Sequence, residues 1–140
     1  MDIEEIYDFL IEFQGVRRSE LGPKVDICLN LGIDGDDFFE MESEFAKRFK
    51  VNMDSYLWYF HHGEEGWNFG GIFFPPPYSQ VQYIPVTPEI LLNAANTNVW
   101  QVQYPDHEIK SRRAEQIINR SVTLLLILIA SMSLYFYFSR

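Results

Sequence analysis

The sequence predicts a mainly α protein: a small helical bundle interrupted by a long aromatic-rich insertion, followed by one C-terminal transmembrane helix. Three observations predict it. Apolar residues recur at helical spacing in three separate segments. Between the second and third of them lies a stretch dense in aromatics, with Gly70-Gly71 and Pro75-Pro76-Pro77 breaking any helix. Residues 121–139 carry no charge at all. The expected organisation is a head over 1–100, a linker and basic neck over 101–120, and a membrane helix over 121–139.

Ile3, Ile6, Phe9, Leu10 and Phe13 form the apolar stripe of a first helix, with Glu4, Glu5, Asp8 and Glu12 opposite. Asp2 is placed to cap it, Glu5 stands three residues on as in a capping box, and Gly15 stops it. A loop follows through Ser19, Gly22 and Pro23. The second helix opens at Leu31-Gly32-Ile33-Asp34-Gly35-Asp36-Asp37, where carboxylates suit the positive end of the helix dipole. Phe38, Met41, Phe45 and Phe49 then line one face, and Lys47, Arg48 and Lys50 fall in the last turn, so the spacing predicts a helix over 36–49. Residues 54–86 read as irregular, with a short strand or extended piece over 80–84; so many aromatics suit a cover for the core or a partner surface. Thr87-Pro88-Glu89 starts a third helix with Ile90, Leu91, Ala94 and Ala95 on its apolar face, fading near 96–98.

The tail predicts its own surroundings. Nineteen uncharged residues at about 1.5 Å each make a helix of about 28 Å, close to the hydrocarbon thickness of a bilayer. The run Leu124-Leu125-Leu126-Ile127-Leu128-Ile129 is apolar on every face, whereas a helix packed on a small head needs only one apolar stripe. Tyr135, Phe136, Tyr137 and Phe138 form a cluster suited to an interfacial belt. The alternative is a buried C-terminal helix in a soluble oligomer. Arg112, Arg113 and Arg120, with Lys110, precede the span and only Arg140 follows it. The positive-inside rule then predicts a single-pass inner-membrane protein with a cytoplasmic N-terminal head. The N-terminus lacks the basic region of a signal peptide, in keeping with a head that is not exported.

Charge is uneven. Residues 1–109 carry six basic against nineteen acidic groups, net −13; residues 110–140 carry five against one, net +4. An acidic head repels phosphates, which argues against nucleic acid as a partner and suits a protein with a basic patch. The lone Cys28 excludes an internal disulfide and reads as a small buried residue. Asp34, Asp36 and Asp37 do not make a calcium loop, because Phe39 and Phe45 stand where glycine and glutamate are required. His61-His62 with Glu64 and Glu65 reads as a solvated loop rather than a metal site, and only His107 stands elsewhere. Asn119-Arg120-Ser121 fits a glycosylation pattern but falls on the cytoplasmic side of the expected span. With no recognisable catalytic constellation or phosphate-cradling loop, no enzyme activity, metal or cofactor is expected.

The order of these pieces resembles acyl carrier proteins, whose first helix ends in a Gly-Val pair (here Gly15-Val16) and whose second opens on Leu-Gly-x-Asp-Ser-Leu-Asp (here residues 31–37). The match continues through Glu40, Met41, Phe45 and Phe49, and the helix over 87–95 takes the family's fourth-helix place. More closely, residues 31–37, Phe45-Ala46-Lys47-Arg48-Phe49 and Pro88-Glu89-Ile90-Leu91-Leu92 with Trp100 resemble an uncharacterised bacterial acyl-carrier-like domain family. The tail belongs to neither pattern. Gly35 stands at the phosphopantetheine serine and Asp36 at the following leucine, so the resemblance implies the fold and a partner-facing second helix, not the prosthetic group. Asp36, Asp37 and Glu40 are the expected exposed acids of that face, with Phe39 its apolar contact. This implies a non-catalytic interaction module at the membrane. The alternatives are a carrier modified at Ser43 or Ser55, and a small membrane regulator whose function lies in its tail.

Overall fold

The computed structural model describes residues 1–109 and 113–139. Among them are four α-helices and no β-strand; residues 52 and 99 form an isolated bridge. Helix α1 spans Ile3–Gln14 with the complete capping box of Asp2 and Glu5, and Gly15 closes it in the left-handed conformation. Helix α2 spans Gly35–Phe49, one residue earlier than the spacing predicts, because Asp34 is its cap and accepts from the Gly35 N–H at 2.8 Å. Helix α3 spans Pro88–Thr97, capped by the Thr87 hydroxyl.

Helix α1 packs on α2 and α3 around a core of Ile6, Phe9, Leu10, Phe38, Met41, Phe45, Leu91 and Ala94. The Phe9 ring lies 6.0 Å from Phe45 and 5.6 Å from Phe49, and the Arg48–Glu12 ion pair spans the same α1–α2 seam at 2.8 Å. The expected apolar faces are thus the buried ones except at Phe13, which lies at the end of α1 and is 41% exposed.

The insertion is ordered by hydrogen bonds rather than by long helices. Its turns Trp58–Phe60, Gly70–Ile72 and Pro77–Ser79 are single 3-10 turns, and the chain bends at residues 80–81 and runs on through 86 without forming the expected strand. Buried Asp26 accepts from the Cys28 and Leu29 N–H groups and from the Tyr83 hydroxyl, which ties that segment to the loop before α2. The reading of His61-His62 as solvated is corrected: both are buried. His61 Nδ1 donates to the Ile84 carbonyl and Nε2 accepts from the Tyr104 hydroxyl, both at 2.8 Å. Tyr104 in turn accepts from Trp100 Nε1 and from the Leu57 N–H. Both ring nitrogens and the phenol are therefore satisfied in a dry setting. Through Tyr104 and the Tyr59–His107 bond, residues 101–109 lie against the insertion instead of running free as a linker.

Helix α4 spans Ala114–Phe138, beginning seven residues ahead of the uncharged run at Ser121. It is long and apolar enough to cross a membrane, with a mean hydropathy of 2.0 in its most apolar window and none of that window buried. Every serine and threonine of the run (Ser121, Thr123, Ser131, Ser133, Ser139) donates its hydroxyl to the carbonyl four residues back, at 2.7–2.9 Å. Those hydroxyls need no water, as a lipid environment requires. Arg112 and Arg140 lie outside the described residues; Arg113 precedes the first turn of α4, and Arg120 is exposed on it.

Candidate functional site

The start of α2 opens into a cleft of about 270 Å³ lined by Gly35, Asp36, Phe39, Trp58, His62, Gly63, Glu64 and Arg113. Three parts of the chain build it. Asp34 holds two of them together, since Oδ1 accepts from the Gly35 N–H of α2 and from the Gly63 N–H of the insertion at 3.0 Å. Burial works against the Asp34 charge, but these two N–H groups hold its carboxyl below the usual carboxylate range. Its charge and, more strongly, burial push the neighbouring Cys28 thiol up to about 12, so Cys28 is an inert packing residue at neutral pH.

His62 forms the aromatic wall. Its ring stacks on Phe38 at 4.7 Å and lies 5.6 Å from Trp58. Nδ1 donates to the Gly63 carbonyl at 2.8 Å, which leaves Nε2 an unprotonated acceptor, buried and without a partner. Burial keeps the ring neutral by lowering its pKa. The third part is the neck. The Arg113 guanidinium pairs with Glu64 of the insertion and with Glu115 of α4, and sits 5.9 Å over the Trp58 ring. Glu115 is almost wholly buried, so Arg113 neutralises a carboxylate that water does not reach.

Of the residues expected at a partner face, Asp36, Asp37 and Glu40 are all exposed, and Phe39 is 60% exposed on the same turns of α2. Phe39 forms a ridge between the cleft and a second, shallower hollow of about 380 Å³ lined by Phe13, Glu40, Ser43, Glu44 and Lys47. An aromatic ridge flanked by carboxylates offers apolar contact at its centre and negative charge at its rim. Ser43 is exposed about two turns, about 12 Å, further along α2 than Gly35, and the Ser55 hydroxyl donates to the Trp100 carbonyl.

Gly35 has a reason beyond the loss of a hydroxyl. Its φ is +54°, which side-chain-bearing residues avoid, and a Cβ there would lie 2.0 Å from Glu65 Cγ. The insertion covers the site where the resemblance expects a serine. Sequence reasoning missed Trp58 and His62 and read Arg113 only as a membrane-flanking charge. The paired histidines amid aromatics were the available signal, but nothing in spacing alone brings residue 113 beside residue 35. Among the described residues no cluster of three or more His, Cys, Asp or Glu side chains is arranged to hold a metal ion.

Compared with protein-family models, with curated proteins and with solved structures, the chain matches none of them.

Proposed function

We propose that the protein is a non-catalytic, acyl-carrier-like interaction module held at the cytoplasmic face of the cell membrane by α4, and that it meets a basic protein partner through the opening of α2. The observation that carries this reading is the arrangement at that opening: Phe39 exposed as a ridge, with Asp36, Asp37 and Glu40 exposed around it. A large exposed aromatic among carboxylates has the composition of an interface centre with a steering rim. The order of helices supports the acyl-carrier likeness, and Gly35 argues for a module without phosphopantetheine. The apolar α4 and the basic residues before it support the anchor and its orientation.

The test is cross-linking in native membranes with the intact protein and with Asp37→Lys/Glu40→Lys. The reversed variant should lose the cross-linked partner at low salt, and the difference between the two should shrink as salt screens the charges over about 10 Å at 0.1 M. Equal capture at low salt, with helicity unchanged by circular dichroism, would refute this face. Alkaline carbonate should leave the protein in the membrane pellet; release into the supernatant would refute the anchor.

A further inference from the structure

We infer that the 67–74 segment of the insertion is a second membrane contact, an aromatic loop that enters the lipid interface beside α4. The inference rests on the reading of α4 as a spanning helix.

The loop is fastened to the neck at a defined height. The Gly70 N–H donates to Asn119 Oδ1 at 2.7 Å, Asn119 Nδ2 donates to Asn68 Oδ1 at 3.1 Å, and the Gly71 N–H donates to that same Asn68 oxygen at 2.7 Å. Gly70 comes so close that a Cβ would lie 2.3 Å from the Glu115 carbonyl oxygen. Asn119 stands two residues before the uncharged run, about 3 Å along the helix axis. Along one face of α4, Glu115 is buried and Ile118, Asn119 and Val122 are half-buried, while the rest of the run beyond Val122 is exposed. The packing of the head on α4 therefore reaches Val122, inside the apolar span.

What the loop displays there is apolar. Trp67 is 77% exposed, Ile72 73% and Phe73 62%, with Phe69 and Phe74 also exposed. Trp67 stacks on Phe69 at 6.1 Å and Phe69 meets Phe73 edge-on at 5.9 Å, so the rings form one patch. From Gly66 to Pro88 the chain carries no charge for twenty-three residues, in a head whose net charge is −13. A large aromatic patch in water is costly, whereas tryptophan and phenylalanine at the headgroup level are favourable. Contact with lipid is apolar rather than electrostatic, since an acidic head is repelled by anionic lipid. Neutral phosphatidylcholine is therefore sufficient as the occupant.

The full chain, reconstituted in phosphatidylcholine vesicles, tests this through its own fluorescence. Lipids brominated near the top of the acyl chains should quench about one third of the emission, one tryptophan of the three, and Trp67→Phe should abolish that component. Trp67 should also resist iodide in the water phase. A second variant, Trp67→Phe/Leu126→Trp, places a reporter at the midpoint of α4 and should be quenched by lipid brominated at mid-chain. If the Leu126→Trp reporter is quenched while native Trp67 is not, the loop contact is wrong and the spanning helix stands. If Trp67 is hidden from both bromine and iodide, protein covers the patch and lipid is not its occupant. If the reporter is unquenched, the spanning reading fails and takes the loop contact with it.

Discussion

Replacing Gly70 with alanine should undock the insertion from α4 while leaving the helical core intact. The added Cβ would meet the backbone of Glu115: the carbonyl oxygen at 2.3 Å, Cα at 2.7 Å and the carbonyl carbon at 2.8 Å. These atoms belong to a continuous helix and cannot turn aside, so the loop must retreat by about 1 Å to reach ordinary contact distance. That retreat carries the 2.7 Å bond from the Gly70 N–H to Asn119 beyond hydrogen-bonding range and loosens the 3.1 Å bond between Asn119 and Asn68. Each is worth about 0.5–1.5 kcal/mol net, so about 2 kcal/mol of local stability is lost. Since every 1.4 kcal/mol is tenfold in an equilibrium, amide exchange in residues 66–74 should accelerate about 30-fold. Hydrogen-exchange mass spectrometry on the full chain in detergent reads this directly, with α1 as an internal control that should not change. Gly22→Ala is the control variant, because its Cβ would meet nothing nearer than Val25 at 3.4 Å. Asn119→Ala should give a similar acceleration with no added bulk. Combining it with Gly70→Ala should add little, because both remove one contact. Unchanged exchange in 66–74 for Gly70→Ala would refute the docked arrangement.

Other expectations follow from single groups. The pair Gly35→Ser/Asp36→Leu should remain unmodified when co-expressed with a phosphopantetheinyl transferase, because φ +54° and the Glu65 side chain oppose any Cβ at residue 35; a mass gain of one phosphopantetheine would overturn that. Burial lowers His61 from 6.5 to about 4, so the unfolded chain binds the extra proton between those values. The head therefore loses up to about 3 kcal/mol from this residue as pH falls from 6.5 to 4. Burial raises Glu42 to about 7, which acts in the opposite sense: its contribution grows as pH falls from 7 towards 4.5 and masks the histidine. Thermal melting of Glu42→Gln should therefore steepen with acidification between pH 6.5 and 4 relative to wild type, and equal slopes would contradict the assignment. Arg113→Ala should destabilise the neck by about 2 kcal/mol, measured by melting in detergent, because buried Glu115 loses its cation; adding Glu115→Gln should recover part of that loss.

The helices were legible because their periodicity, caps and stops agree: Asp2 with Glu5, Gly15 after α1, Thr87 before Pro88, and Phe38, Met41 and Phe45 on one face. The exposure of Phe39 was also legible, since it lies one residue, about 100°, round from the buried face. The insertion was not. Its order comes from bonds between residues far apart in sequence: Tyr83 to Asp26, His61 to Ile84, Tyr104 to Leu57, and Gly70 to Asn119. None of these leaves a local pattern. Burial of His61 in particular depends on a phenol 43 residues away that accepts from Trp100 and donates back to the imidazole. The same holds for the neck, where Arg113 reads as a membrane-flanking charge until Glu64 and Glu115 are seen on either side of it.

Arg113 has a consequence for how the proposed partner must approach. It lines the cleft beside Gly35 and also leads directly into α4. From Ala114 to Ser121 the helix rises about 10 Å, so the cleft is held by a rigid helical segment at about that distance from the start of the uncharged run. The contacts of Gly70 and Asn68 with Asn119 brace the same segment from the side. A head on a flexible tether would sweep a wide volume and meet soluble partners at any angle. If α4 spans the membrane as proposed, a braced head presents Phe39 and its acids to the lipid surface in a restricted orientation. On the proposed reading, the matching basic patch therefore belongs to a protein that is itself at the membrane. Undocking the insertion with Gly70→Ala should then weaken capture of that partner even though every residue of the α2 face is unchanged; full capture by this variant would show that the brace plays no part in recognition.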